Sequence, residues 1–200
     1  MTLYDLKPKF QAMLRPGVAA LAAAGITANQ VTLAALAGSL LVGLLVGLFA
    51  AQTAVFLLLP LWLFLRMALN AVDGMLAREF NQKSVLGAYL NELSDVVSDA
   101  ALYVPYSLVA PFSPGWVMAV VGLSVLSEFA GALGPMVGAS RRYDGPLGKS
   151  DRALVFGALG LWIGIGGGVP DWLAWLMPVL AALLAVTIAN RVRRGIGEAR

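Results

Sequence analysis

Long apolar runs alternate with short polar ones along the chain. Six runs of about 20 residues, the length a helix needs to cross a hydrocarbon core, lie at roughly 28–50, 54–75, 86–109, 116–140, 152–169 and 172–190. The segment 1–16 breaks this pattern. There Leu3, Leu6, Phe10, Met13 and Leu14 recur at helical spacing, with Asp5, Lys7, Lys9 and Arg15 between them. That alternation predicts an amphipathic helix lying along a membrane surface. It lacks the apolar core of a signal peptide, so no cleavage is expected. The expected organisation is an interfacial helix at 1–16 and a six-helix transmembrane domain at 17–200. The fold class is all-α integral membrane.

Composition strengthens this reading. Apolar residues make up 60% of the 200 positions and charged residues 12%, against about 25% charged in soluble domains. Mean hydropathy is +0.81. A chain this short cannot hide so much apolar surface from its solvent, so the expected solvent is lipid. The net charge of +3 is small, and no nucleic-acid partner is expected. Its distribution decides the topology. Lys7, Lys9 and Arg15 precede the first run, and Arg78 and Lys83 follow the second. Arg141, Arg142, Lys149 and Arg152 follow the fourth, and Arg191, Arg193, Arg194 and Arg200 follow the sixth. The gaps 51–53, 111–115 and 166–171 hold none. Six crossings put all 13 cations on one side, which the positive-inside rule makes cytoplasmic, with both termini there. Cysteine and histidine are absent, which excludes disulfides, thiolate or imidazole metal sites and Ser-His or Cys catalysis.

The remaining cation, Arg66, falls inside the second run, and Asp73, Glu92, Asp95, Asp99 and Glu128 lie in or beside runs. Ionisable groups are costly in lipid and usually face a bundle interior. Arg66, Asn70, Asp73, Gly74, Ala77 and Arg78 form one helical stripe, and Gly87, Asn91, Asp95 and Asp99 recur every four residues on the next helix. The short connection 80–84 brings the stripes together. A polar seam that merely joins two helices, with Gly74 and Gly87 allowing close packing, is one reading. The other is a carboxylate site near the cytoplasmic interface, suited to a hard divalent cation.

Asp73-Gly74-x-x-Ala77-Arg78, eight residues, then Gly87-x-x-x-Asn91-x-x-x-Asp95 resembles the signature of the CDP-alcohol phosphotransferases. Ile26-Thr27-Ala28-Asn29-Gln30-Val31-Thr32 resembles the entry to that family's first span. The family plan is also similar, with six spans after an amphipathic amino-terminal helix. The resemblance implies transfer of a phosphatidyl group from CDP-diacylglycerol to a polar alcohol, with release of CMP, in phospholipid synthesis. It implies a bacterial inner-membrane location with the active site facing the cytoplasm. Asn70, Asp73, Asn91 and Asp95 take the four metal-binding positions, filled by Mg²⁺ or Mn²⁺, one or two ions. Asp95 is implied as the general base. Gly74, Ala77, Arg78 and Gly87 are implied against the CDP-alcohol.

Two family aspartates are replaced here, by Asn70 and Asn91. An amide oxygen still suits a hard cation but supplies no charge. A catalytically silent CDP-lipid-binding protein is therefore the alternative, although Asp95 survives and Glu92 and Asp99 stand nearby in sequence. The cluster Arg141, Arg142, Lys149 and Arg152 is either plain positive-inside charge or a pocket for an acceptor's phosphate, which Arg suits through its forked donors. Glu128 is expected to pair with Arg66. Gly131, Gly134 and Gly138 read as helix packing within or between protomers, and a homodimer is expected. A transporter is disfavoured, because the polar residues cluster at one membrane face.

Overall fold

The computed structural model describes residues 3–199, with side chains from residue 10. It is all helical among those residues. In chain order the helices are α1 (Leu3–Ala23), α2 (Ala28–Leu48), α3 (Leu58–Glu79), α4 (Val85–Tyr103), α5 (Pro114–Ala132), α6 (Lys149–Gly164) and α7 (Leu176–Glu198). The side chains of Leu3, Asp5, Leu6, Lys7, Lys9 and Arg200 lie outside the described residues.

The amino-terminal helix runs seven residues beyond the expected end, because 17–23 is an Ala-rich helix-forming stretch. It stops at Gly25, whose φ of 78° reverses the chain while Ile26 N–H bonds back to the Leu21 carbonyl. Thr27 and Gln30 then form a reciprocal cap that starts α2. Buried Val18 of α1 packs with Val31 of α2 and with Val72, Met75 and Leu76 of α3.

Among the described residues four segments are long and apolar enough to cross a membrane: Ala28–Leu48, Thr53–Glu79, Pro114–Ala132 and Asp171–Glu198. The other two expected spans are poorer on their own. α4 carries Glu92, Asp95 and Asp99, and α6 is 16 residues long and opens on Lys149, Asp151 and Arg152. Large apolar side chains stand exposed around the bundle, among them Leu61, Phe64, Leu154 and Trp175, each about 70% accessible. A soluble monomer rarely exposes so much contiguous apolar surface.

Expected boundaries shift where Gly and Pro intervene. α5 ends at Ala132 rather than near 140, since Pro135 interrupts the helix and Gly138 (φ 85°) turns the chain away. The segment 139–148 then folds back over α5. A Cβ on Gly131 would sit 2.5 Å from the Arg142 carbonyl oxygen, and one on Gly134 would collide with the Ser140 carbonyl. These glycines therefore admit a loop of their own chain, rather than serving the contact between protomers that the sequence suggests.

The packing leaves a gap where the polar stripes meet. α2 packs along both α3 and α4, α6 lies on α3, and α7 lies on α5. α3 and α4 themselves stay apart over most of their length. An apolar core at the far end, including Phe56, Leu63, Tyr103, Tyr106, Phe112 and Phe156, holds the bundle closed there.

Candidate active site at the α3–α4 cleft

Three local devices shape the open end. Ser84 accepts a hydrogen bond from Gly87 N–H at 2.9 Å and so starts α4. Gln82 ties the α3–α4 turn to the start of α2, accepting from Ala28 N–H at 2.7 Å and donating to the Ile26 carbonyl at 3.4 Å. Asn81 takes the left-handed conformation between them, at φ 58°. The result is a cleft of about 480 Å³.

Six of the eight motif positions line this cleft: Asp73, Gly74, Ala77, Arg78, Gly87 and Asn91. The two glycines do not bring α3 and α4 together. A Cβ on Gly74 would lie 3.0 Å from the Arg78 guanidinium, and one on Gly87 would lie 2.8 Å from Asn29 Oδ1. Both keep the cleft wall bare, while deeper along the stripes Arg66 and Asn70 of α3 bond to Asp95 and Asp99 of α4. Asp73 is buried, with the Thr32 hydroxyl 2.8 Å from its Oδ2.

Asn70 and Asp95 lie beside the cleft and meet each other, Asn70 Nδ2 donating to Asp95 Oδ1 at 3.5 Å. The same oxygen is 3.3 Å from Arg66 Nη2 and receives the Lys149 ammonium. Among the described residues Asp95 Oδ2 accepts no hydrogen bond, so one oxygen is anchored and the other is available.

Below the site runs a buried ionic network. Arg66 donates to Asp99 Oδ1 at 2.6 Å, and Arg152 donates to Asp99 Oδ2 at 2.9 Å and to Glu128 Oε1 at 3.0 Å. Arg191 stands 3.5 Å from Glu128 and bonds to the Ser127 carbonyl. Glu128 thus pairs with Arg152 and Arg191, and with Arg141 at 3.4 Å, and not with Arg66 as the sequence suggests, because Arg66 points across to α4. Asp99 is sealed between two guanidiniums and is 3% exposed, so it is withheld from the cleft.

The second basic cluster divides. Arg152 is 1% exposed with every guanidinium nitrogen on a protein partner, which removes it from the open surface where an acceptor's phosphate was expected. Arg142 pairs with Asp144 and Glu198 on the far side of the 139–148 loop. Partial burial pushes the Asp144 carboxyl up, but bonds from Arg142 and Arg194 hold it below the ordinary carboxylate value. Arg141 pairs with Glu92 at 2.6 Å and stacks over Tyr143, and Glu92 borders the cleft. Lys149 and Arg141 remain partly exposed. Thr32, Asn29, Gln82 and Ser84 also line the cleft. Their helix-capping chemistry is visible in sequence, but their place against the motif is not.

A profile of the CDP-alcohol phosphatidyltransferase family matches residues 25–187. The chain belongs to this family. It is also 50% identical over 196 residues, 96% of each chain, to a protein of Escherichia coli (strain K12) named Inner membrane protein YnbA. The motif at 70–95 lies inside the matched segment. The family generally depends on a divalent metal. Among the described residues no three Asp, Glu, His or Cys side chains converge on one point. The donors present are the carboxylates of Asp73 and Asp95 and the amide oxygens of Asn70 and Asn91. All are hard oxygen ligands that fit Mg²⁺ or Mn²⁺ in type.

Proposed function

We propose that the chain is a membrane enzyme that transfers a phosphatidyl group from CDP-diacylglycerol to a polar alcohol and releases CMP. The observation that carries this is the cleft itself, where two bare glycine walls, Ala77, Arg78 and Asp73 converge on a space large enough for a nucleotide. Six crossings, with both termini and the cleft on the cytoplasmic side, are supported by the grouping of the cations and by the apolar belt. The 50% identical inner-membrane protein supports a bacterial inner-membrane location.

Asp73, Asp95, Asn70 and Asn91 would hold the divalent cation. When bound it neutralises the diphosphate and stabilises the leaving CMP. Arg78 holds the diphosphate from the cleft wall. The acceptor hydroxyl gives its proton to Asp95 Oδ2, while Oδ1 stays anchored by Arg66, Asn70 and Lys149. Its oxygen forms a new bond to the phosphatidyl phosphorus as the bond from that phosphorus to CMP breaks, and the CMP oxygen takes the electron pair. A phosphate on the acceptor would meet Arg141, which pairs with Glu92 at the cleft edge, while the Lys149 ammonium stays on Asp95.

CMP release by purified protein, with CDP-diacylglycerol and a panel of alcohols, tests the reading. The expected result is release dependent on both an acceptor and a divalent ion. A second reading is favoured by the cations already seated on Asp95: a silent protein that binds a CDP-lipid. Binding of CMP without any release would select it. Arg141→Ala should raise KM for a phosphorylated acceptor about 10-fold or more and leave KM for CDP-diacylglycerol unchanged, as expected for a lost charge-assisted bond. An equal effect on both substrates rejects the phosphate pocket.

A further inference from the structure

Lys149 is placed against the usual logic of helices. It is the first residue of α6, where the positive end of the helix dipole disfavours a cation. The helix is capped without it, by Asp151 accepting from Gly148 N–H at 2.9 Å. Its ammonium instead reaches across to Asp95 Oδ1 on α4. It shares a small recess of about 160 Å³ with Arg66 and Asn70. A lysine ammonium is a compact point charge, and here it sits on Asp95 Oδ1, the same oxygen that Arg66 and Asn70 approach.

The charges around the cleft bear on what else it can take. Glu92 is held by Arg141. Asp99 and Glu128 are held by Arg66, Arg152 and Arg191, three guanidiniums against two carboxylates. This buried network therefore carries one excess positive charge. The carboxylates left for a bound ion are Asp73 and Asp95. Together with a diphosphate diester they make four negative charges. One divalent cation, the Lys149 ammonium, the excess of the network and Arg78 on the cleft wall make five positive ones. A second divalent cation would raise the positive excess from one charge to three beside a poorly solvated interior, where uncompensated charge is costly.

We infer that this site takes a single divalent cation, and that the ammonium of Lys149 on Asp95 stands in the place of a second. The inference rests on the proposed function, since the charge balance includes the diphosphate of a CDP-alcohol. Removing the ammonium should free Asp95 for another ion. Replacing it with a different monovalent cation should not.

The experiment is a Mn²⁺ titration of purified protein in detergent, with free Mn²⁺ read by electron paramagnetic resonance in the presence of CDP-diacylglycerol. The wild type should bind one Mn²⁺ per chain. Lys149→Met and Lys149→Ala should bind two, and Lys149→Arg should stay at one. Thermal unfolding of each variant checks that it is folded. Two Mn²⁺ in the wild type, a count that needs no variant to fold, would overturn the inference. So would folded Lys149→Met and Lys149→Ala that both remain at one. If two ions bind and CMP is released, the inference alone fails. If the wild type binds neither Mn²⁺ nor nucleotide, the proposed function fails with it.

Discussion

Asp95 shows how one residue's surroundings define its task. Three positive or amide donors crowd Oδ1 and none reaches Oδ2 among the described residues. Such a carboxylate is oriented as well as charged, which general-base catalysis requires. Asp95→Asn keeps the size and loses the base, so CMP release should fall about 10²-fold or more while the thermal unfolding midpoint in detergent stays close to wild type. Release within a few-fold of wild type would remove Asp95 from the chemistry. Gly87 tests the wall. Its missing side chain leaves room before Asn29 and Ser84, and Gly87→Ala should weaken CMP binding about 10-fold without loss of folded protein. Calorimetric CMP titration reads this, and unchanged affinity would place the nucleotide elsewhere.

Among the elements, the α3–α4 turn is the piece whose position matters most. It is joined to the start of α2 through Gln82, and that start carries Asn29 and Thr32, which line the same cleft. Gln82 thus joins three helix ends around the cleft. Gln82→Ala removes a hydrogen bond worth roughly 0.5–1.5 kcal/mol and should raise KM for the CDP-lipid about 2- to 12-fold, with a smaller change in kcat. A change in kcat alone would mean that the turn does not shape the nucleotide site. Helix identities, and the amphipathic pattern of segment 1–16, are legible from spacing. Their ends are legible only in part: the glycines at 164 and 166–168 mark the end of α6, but Pro135 and Gly138 end α5 inside what reads as one apolar run.

For the molecule as a whole, the buried network joins α3, α4, α5, α6 and α7 through Arg66, Asp99, Glu128, Arg152 and Arg191. Breaking such a network strands a buried charge, at a cost of roughly 3–5 kcal/mol. Arg152→Met should therefore lower the unfolding temperature and the yield of folded protein, rather than raise KM for the acceptor. A well-folded variant with a selective acceptor defect would return Arg152 to the acceptor site. Topology is testable without background, since the chain has no cysteine. Single cysteines at Lys83 and Tyr143 should react with an impermeant maleimide from the cytoplasmic side of the membrane. Those at Gln52, Ser113 and Gly168 should react from the other side. Any mixing of the two groups would exclude six crossings.

The amino-acid pattern determined the helical class, the apolar runs and the eight motif positions, because helical period and apolar length are properties of a single segment. It also put the motif of α3 and α4 on facing stripes, since only a short turn separates them. It did not determine which cation meets which carboxylate. Arg152 and Asp99 are 53 residues apart, and Lys149 reaches Asp95 from another helix. Such pairs depend on the depth and rotation of each helix in the bundle, which α2 sets by packing on both α3 and α4. The separation of α3 from α4, and with it the cleft, is likewise a product of tertiary packing. Two neighbouring stripes on a sequence look the same whether they close on each other or stand open.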